Sequence, residues 1–222
     1  MNSAHDLGGQ HGFGPVAPES EQSEPVFHTD WERKALALTL ATGFLGRWNI
    51  DESRHARESQ HPVDYLRQTY YENWLSGLEK LLVEKGLITE EELKTGQALS
   101  KTNEELLSRV LKAEKVTEAI DKGGSSNLEI DTPPVFQVGD RVQAKNRHPL
   151  THTREPGYVR GRIGLIEAHY DSHILPDDNS QGKRTGEHLY CVRFEATELW
   201  GKDSTSQHFV YVDLWESYLD RA

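Results

Sequence analysis

The spacing of apolar residues changes near the middle of the chain, and this change limits the folds that the chain can adopt. Before residue 123 apolar side chains recur at three- and four-residue steps, which is typical of amphipathic helices. After residue 134 they alternate with polar side chains, which is typical of strands. The glycines and paired prolines of residues 123–134 predict a linker. We therefore predict an α+β protein with an all-helical N-terminal half.

Capping residues, prolines and glycines predict the helices of residues 29–122. A Thr or Asp ahead of an apolar run can cap a helix, and a Glu three residues later completes a capping box. Proline suits the first turn, and glycine is a common stop signal. The first predicted helix starts at the capping box of Thr29 and Glu32 and ends at Gly43 or Gly46. The others are a short helix from Asp51 through Glu58, a long helix from Pro62 to Gly86, a short helix from Thr89, and a helix through Leu106–Ile120.

Residues 135–222 are expected to form about five short strands. Turn-rich loops separate the alternating segments, which are 136–142, 158–166, 189–194 and 209–214. Closure of such a small sheet would remove its exposed edges. The C-terminal half is therefore predicted to be a small, partly open β-barrel.

The first 28 residues form a third region with a different composition. Glycines and prolines are frequent and bulky apolar residues are few, so this segment cannot close a core of its own. It is either a disordered tail or an extended arm ordered by a partner, with Phe13, Val16, Val26 and Phe27 as anchors. No Lys or Arg precedes Arg33, which disfavours a signal peptide and predicts a cytoplasmic protein.

Charge and cysteine content exclude several classes of function. With 25 Lys and Arg against 36 Asp and Glu, the net charge of -11 disfavours nucleic acid and an anionic membrane as partners. The single cysteine, Cys191, excludes an internal disulfide and a site of several thiolates. The pairs His148/His152 and His169/His173 have helical ligand spacing, but nearby prolines argue against a helix, so no metal site is predicted in this chain. These features indicate a subunit without a self-contained active site.

Segments spread over the whole chain resemble the β subunit of nitrile hydratase in their order and spacing. They are Asp6–Val16, Phe27–Glu32, Ile50–Arg54, His61–Leu66, Tyr70–Trp74, Val138–Val142, His152–Arg154, Tyr158–Gly161, His188–Phe194, Glu198–Gly201 and Val212–Glu216. The resemblance implies a hydro-lyase that converts nitriles to amides, with an α subunit as partner in an α2β2 heterotetramer. The C-terminal barrel resembles the SH3-like fold.

The same resemblance places the catalytic metal outside this chain. In the family, a non-corrin cobalt or a non-haem iron is held by the α subunit on a Cys-x-x-Cys-Ser-Cys sequence with two oxidised cysteines. Two β-subunit arginines hydrogen-bond these cysteines and map to Arg54 and Arg154, where a guanidinium offers a planar fork of donors. Arg57 is expected to point to another helix face and to tolerate Lys. Further positions implied by the resemblance are Tyr70 for catalysis and Ile50, Trp74 and Trp48 for substrate binding.

Each of these residues also has an interpretation without function. Arg54 is spaced to pair with Glu58 on a helix surface, and Arg154 is typical of a solvated loop charge. The apolar stripe around Tyr70 is typical of a core face. Glu155 brings a carboxylate next to a site for an anion, so the sequence leaves the orientation of Arg154 open.

Two other functions remain as alternatives. A thiocyanate hydrolase-like enzyme resembles this family but divides the equivalent of β between two chains, whereas both halves lie on one chain here. An SH3-like protein-binding module with an unrelated helical attachment is the second. A neighbouring gene for a Cys-x-x-Cys-Ser-Cys chain would favour nitrile hydratase. The sequence leaves open the choice of cobalt or iron, and of aliphatic or aromatic nitriles.

Overall fold

The chain folds into two compact units. The structure, a computed structural model, describes residues 1–204 and 208–222. The helical unit comprises Ser3–His5 and His11–Gly124, and the sheet unit comprises Met1–Asn2, Asp6–Gln10 and Ser125–Ala222. Among the described residues, no helix is both long and apolar enough to cross a membrane.

Side chains close to each N-terminus fix where the helices of the helical unit begin. The Glu32 carboxylate accepts from the Thr29 backbone N–H, and Glu92 does the same for Thr89, as the capping boxes predicted. The helices are α1 (Asp30–Gly43), α2 (Ile50–Glu58), α3 (Pro62–Arg67), α4 (Tyr70–Glu84), α5 (Glu90–Thr95), α6 (Glu104–Arg109) and α7 (Val116–Lys122).

Two helix boundaries differ from the prediction for local reasons. Asn49, and not Asp51, caps α2, because its side chain accepts from the Asp51 and Glu52 N–H groups. The long helix predicted from Pro62 is two helices, α3 and α4. Glu72 accepts from the Thr69 N–H at 2.7 Å, so a second cap competes with continuation of the first helix.

The single helix predicted through Leu106–Ile120 is also wrong. Val110 is extended and ends α6, and a 3-10 turn, Ala113–Lys115, precedes α7. No residue of either helix is buried. Because tertiary packing supplies most helix stability in proteins, a segment without a buried face has little to hold it in one long helix.

The sheet unit contains one five-stranded antiparallel sheet in the order β4-β3-β2-β1-β5. Strands β4 and β5 form its two edges in the described part of the chain, so the sheet is open and closure into an SH3-like barrel stays a prediction. The elements are β1 (Arg141–Ala144), β2 (Ile163–Ile174), α8 (Pro176–Asn179), β3 (Gly186–Glu195), α9 (Ala196–Trp200), β4 (Phe209–Trp215) and β5 (Leu219–Arg221).

Turns shift the first two strands from their predicted positions. Residues 137–140 form a turn in which Gly139 has φ +92°, so β1 starts only at Arg141. Gly157–Val159 forms a 3-10 turn, and β2 therefore starts at Ile163. Strands β3 and β4 contain the predicted segments 189–194 and 209–214.

A single apolar cluster forms the core of the sheet unit. Val142, Ile166, Phe194 and Leu214 are fully buried in it. Burying one such side chain contributes about 1.5–3 kcal/mol, so this cluster is the main source of stability for the unit.

Candidate functional site

Helices α2 and α4 pack closely, and their contact carries several of the predicted site residues. Gly77 lies at this contact, because a Cβ there would overlap the Arg57 side chain and lie 3.3 Å from the Arg57 backbone nitrogen. The Arg57 guanidinium lies over the Trp74 ring, 4.7 Å from its centroid. Its Nε donates to the Ser53 carbonyl at 3.2 Å. The close approach of the helices therefore fixes one face of Trp74.

A cavity of about 350 Å³ at this contact brings together Arg54, Tyr70 and Trp74. The Tyr70 and Trp74 rings lie 5.6 Å apart between centroids, and Tyr70 is 66% exposed. Arg57 and Glu58 also line the cavity. Tyr70 therefore lies at an open surface and not in a core face.

A second cavity of about 270 Å³ brings together Ile50, Trp48 and Trp74. Phe44 adds another aromatic wall, and Arg57 adds a charge. Apolar walls with a few polar groups are typical of sites for small molecules. The three predicted substrate-binding residues thus share one cavity, and Trp74 lines both cavities.

Arg54 is held by an acidic neighbour one turn earlier on its own helix. Its Nη1 donates to Asp51 Oδ1 at 2.9 Å. The Asp51 side chain is 5% exposed whereas that of Arg54 is 39% exposed. A buried carboxylate therefore orients a guanidinium that still reaches the cavity and the solvent.

Arg154 lies in the sheet unit, in the loop of residues 152–160 that we call the Arg154 loop. Arg154 is exposed, while its neighbours Thr153 and Glu155 are buried. The Arg154 backbone N–H donates to the Tyr218 hydroxyl at 3.4 Å. The loop therefore turns its arginine outward and both neighbours inward.

Glu155 pairs with an arginine eight residues earlier in the chain. Its Oε2 accepts from Arg147 Nε at 2.9 Å, and Arg147 Nη2 also donates to Asp177 at 3.1 Å. The Tyr218 hydroxyl donates to Asp177, and Arg147 lies over the Tyr218 ring at 4.1 Å. The Glu155 carboxylate thus faces the inside of the unit.

Burial and charged neighbours shift the pKa values of this network. Burial raises the pKa of Glu155 above its ordinary value, although the hydrogen bond from Arg147 opposes the change. Burial alone would lower the pKa of Arg147, but Asp177 and Glu155 together raise it. Burial and the Asp177 carboxylate raise the pKa of Tyr218. These groups form a support for the Arg154 loop in which Glu155 is fully buried and Arg147 is partly exposed.

The histidines of the pair His169/His173 have structural partners. His169 and His173 lie on β2, where His169 Nε2 is 3.0 Å from His188 Nδ1 and His173 Nδ1 is 3.0 Å from Ser126 Oγ. Within residues 1–204 and 208–222, no group of three or more His, Cys, Asp or Glu is arranged to hold a metal ion. Cys191 is buried on β3.

Sequence reasoning missed Arg57 and the support under the Arg154 loop. Arg57 was expected to face away from the site, yet it lines both cavities. Gly77 carried a signal for this position. A glycine weakens the interior of a helix, so its presence there indicates that a neighbouring segment approaches closely. The network around Glu155 carried no local signal, since Arg147 also pairs with Asp177, which lies 30 residues further along the chain.

Two models of one protein family match the two halves of the chain. The family model "Nitrile hydratase beta subunit, N-terminal" matches residues 1–122. The model "Nitrile hydratase beta subunit, C-terminal" matches residues 125–221.

Individual relatives match over the full length. The low-molecular weight cobalt-containing nitrile hydratase subunit beta of Rhodococcus rhodochrous is 39% identical over 225 residues, covering 99% of each chain. The nitrile hydratase subunit beta of Pseudomonas putida is 39% identical over 226 residues, covering 100% of each chain. Among solved structures, a recombinant apo-enzyme of thiocyanate hydrolase from Thiobacillus thioparus is 29% identical over 40% of this chain and 78% of its own, with a TM-score of 0.39.

Proposed function

The chain belongs to the nitrile hydratase beta-subunit family, and from this premise we propose that it is the β subunit of a hydro-lyase that adds water to a nitrile to give an amide. The observation that carries the proposal is the match of both family halves, residues 1–122 and 125–221, on one chain. A thiocyanate hydrolase-like enzyme would divide these halves between two chains, which disfavours that alternative.

The proposed partner is an α subunit in an α2β2 assembly that carries the metal on oxidised cysteines. When bound there, the metal supplies Lewis-acid activation of the nitrile or of water. The described residues of this chain offer no ligand set for it, and Cys191 is buried on β3. The cobalt in the name of the R. rhodochrous relative makes cobalt the first metal to measure.

The proposed task of Arg54 and Arg154 is to donate hydrogen bonds to the oxidised cysteines of the partner. Arg54 suits this task because Asp51 orients it while 39% of its side chain stays exposed. Arg154 suits it because the loop presents the side chain to solvent while Glu155 turns inward to Arg147. A planar guanidinium matches two oxygen acceptors better than an ammonium group does.

The proposed substrate pocket combines apolar walls from Ile50, Trp48 and Trp74 with the hydroxyl of Tyr70. The first three line one cavity and Tyr70 lines the next, with Trp74 shared between them. Apolar walls would hold the hydrocarbon part of a nitrile and exclude water from it. The Tyr70 hydroxyl can donate or accept a hydrogen bond at the nitrile end.

Co-expression with an α-type chain carrying Cys-x-x-Cys-Ser-Cys tests the proposal. The complex is expected to contain stoichiometric metal and to produce amide from nitrile. This chain purified alone is expected to do neither. Turnover by the isolated chain would refute the assignment.

Two arginine variants of the complex test the site. Arg54→Lys and Arg154→Lys are each expected to lower kcat at least ~10-fold, which is about 1.4 kcal/mol of transition-state stabilisation. Metal content is expected to change less than the rate. Arg67→Lys is the control, because Arg67 pairs with Asp64 at an exposed helix surface. Equal small effects at all three positions would show that the proposed role is wrong.

A further inference from the structure

The Arg154 loop is supported on its outer side by the beginning of the chain. We call Asn2 together with residues 6–10 the strap, since these residues belong to the sheet unit although they lie far from it in sequence. The strap contacts the loop at Gly157, Tyr158 and Arg160. These contacts lie within six residues of Arg154.

Asp6 provides the central hydrogen bond of the strap. Its Oδ2 accepts from the Gly157 backbone N–H at 2.7 Å. A Cβ at residue 157 would lie 2.7 Å from the same oxygen, so a side chain there would displace the Asp6 carboxylate from this position. Gln10 Nε2 donates to the Asp6 carbonyl at 2.8 Å and closes the strap on itself. The carboxylate therefore occupies the space that a side chain at residue 157 would need.

The two glycines after Leu7 let the strap lie flat on aromatic rings. A Cβ at Gly8 would overlap the Tyr158 ring, and a Cβ at Gly9 would lie 2.6 Å from Trp200 Cζ3. Gly9 has φ +76°, which favours glycine in any case. The Tyr158 and Trp200 rings lie 5.5 Å apart between centroids. The sequence Asp-Leu-Gly-Gly thus has a steric reason at each glycine.

Arg160 links the strap to the residue next to Arg154. Its Nη1 donates to Asn2 Oδ1, and its Nη2 donates to the Glu155 carbonyl at 3.0 Å. The carboxylate of the same Glu155 is held by Arg147 from the inside. The backbone beside Arg154 is therefore fixed from both sides.

From these contacts we propose that the strap positions Arg154, with Asp6 as the main positioning residue. The inference rests on the proposed function, in which Arg154 must meet fixed acceptors on the partner. A misplacement of about 1 Å at such a contact can cost on the order of 100-fold in rate. The strap would prevent this by holding Gly157 and the Glu155 carbonyl in place.

Asp6→Ala in the full chain, alone and co-expressed with the α-type partner, tests the proposal. Hydrogen exchange of the Gly157 amide is expected to accelerate at least ~10-fold, because its acceptor is lost. In the complex, kcat is expected to fall at least ~3-fold with KM within about 2-fold, because Arg154 is misplaced and not removed. Asp6→Asn keeps one acceptor oxygen, so it is expected to restore the Gly157 exchange rate and kcat in part.

A second variant and a control complete the test. Gly9→Ala keeps Asp6 but places a Cβ against Trp200, and it is expected to change both readouts in the same direction. Glu21→Ala removes the same charge from an exposed position of the N-terminal region and is expected to change neither.

The outcomes separate this inference from the proposed function. Unchanged Gly157 exchange in Asp6→Ala would overturn the inference. Faster exchange with unchanged kcat would also overturn it if Arg154→Lys still lowers kcat. Faster exchange together with a silent Arg154→Lys would support the anchoring by the strap and refute the proposed role of Arg154.

Discussion

The helical and sheet units differ in where their apolar residues lie. In the described chain, the buried apolar residues of the helical unit are Ala35, Ala56, Leu78 and Leu81, and all the others lie in the sheet unit. The helical unit exposes many large apolar side chains instead. The sheet unit therefore has its own core, while the helical unit presents the apolar surface and the cavities that carry most of the candidate site.

This difference indicates that the two units have different roles, stability in the sheet unit and partner contact in the helical unit. Exposed apolar surface of this extent is typical of an interaction site, and a partner would bury it. Substitutions of buried residues in the sheet unit are therefore expected to reduce folding stability, and those of exposed apolar or cavity-lining residues in the helical unit to reduce assembly or turnover. The following substitutions test that division.

The largest expected effect is that of Arg147→Met in the sheet unit. The substitution leaves the buried Glu155 and the partly buried Asp177 without their cation, so the free energy of unfolding should fall by about 3 kcal/mol. Urea unfolding of the full chain followed by tryptophan fluorescence measures it. Arg67→Met, which breaks an exposed pair in the helical unit, is the control and should cost about 0–1 kcal/mol.

The loss in Arg147→Met should also depend on pH. Burial raises the pKa of Glu155, so its contribution to stability is greatest below its ordinary pKa and is lost as the pH rises through the raised pKa. Without Arg147 the deficit should therefore be smaller at pH 5 than at pH 8. A loss of unfolding free energy equal to that of Arg67→Met at both pH values would show that the Glu155 network stabilises the sheet unit no more than an exposed ion pair does.

The next effect concerns the N-terminal region of the helical unit. Phe13, Val16 and Val26 are 57%, 93% and 84% exposed. Replacing all three with Ser should weaken binding to the α-type partner at least ~10-fold, because each would bury apolar area there. Titration of labelled chains measures the Kd.

Leu150→Ser is the matched control for this triple variant. Leu150 is 92% exposed in the sheet unit and should leave the Kd unchanged. An unchanged Kd in the triple variant would mean that the region is a tail and not a partner-bound arm.

A smaller effect is expected from Arg57→Lys in the assembled enzyme. Lysine would lose the planar stacking on Trp74 between the two cavities. A cation–π contact is worth about 0.5–1 kcal/mol, so kcat/KM should fall about 2- to 5-fold. Steady-state kinetics beside Arg67→Lys gives the comparison, and identical values for the two variants would show that Arg57 has no part in the site.

The smallest effect is a titration in the helical unit. The Glu19 carboxylate lies 2.9 Å from His28 Nε2, and this hydrogen bond and its charge raise the pKa of His28. The stability that this pair contributes is present below the ordinary histidine pKa and is lost as the pH rises through the raised one. NMR titration should show Glu19→Gln lowering the pKa of His28 and Glu21→Gln leaving it unchanged. No response to Glu19→Gln would show that the contact does not persist in solution.

Local signals predicted much of the helical unit because each depends on a few neighbouring residues. The capping boxes at Thr29 and Thr89 gave helix starts that the structure confirms. The prediction failed where two local signals competed, as at Thr69, where a cap interrupts a helix that the apolar spacing would have continued. The cap at Asn49 was missed because Asp51 offers the same chemistry two residues later.

The sequence by itself determined the change from helix to sheet and the family, because these depend on period and segment order. Tertiary structure alone decided that Arg57 lies on Trp74, that Glu155 turns inward to Arg147, and that Asp6 reaches Gly157. The last pair is separated by 151 residues. Such contacts depend on closure of long stretches of chain and on the space left by glycines, which no local pattern encodes.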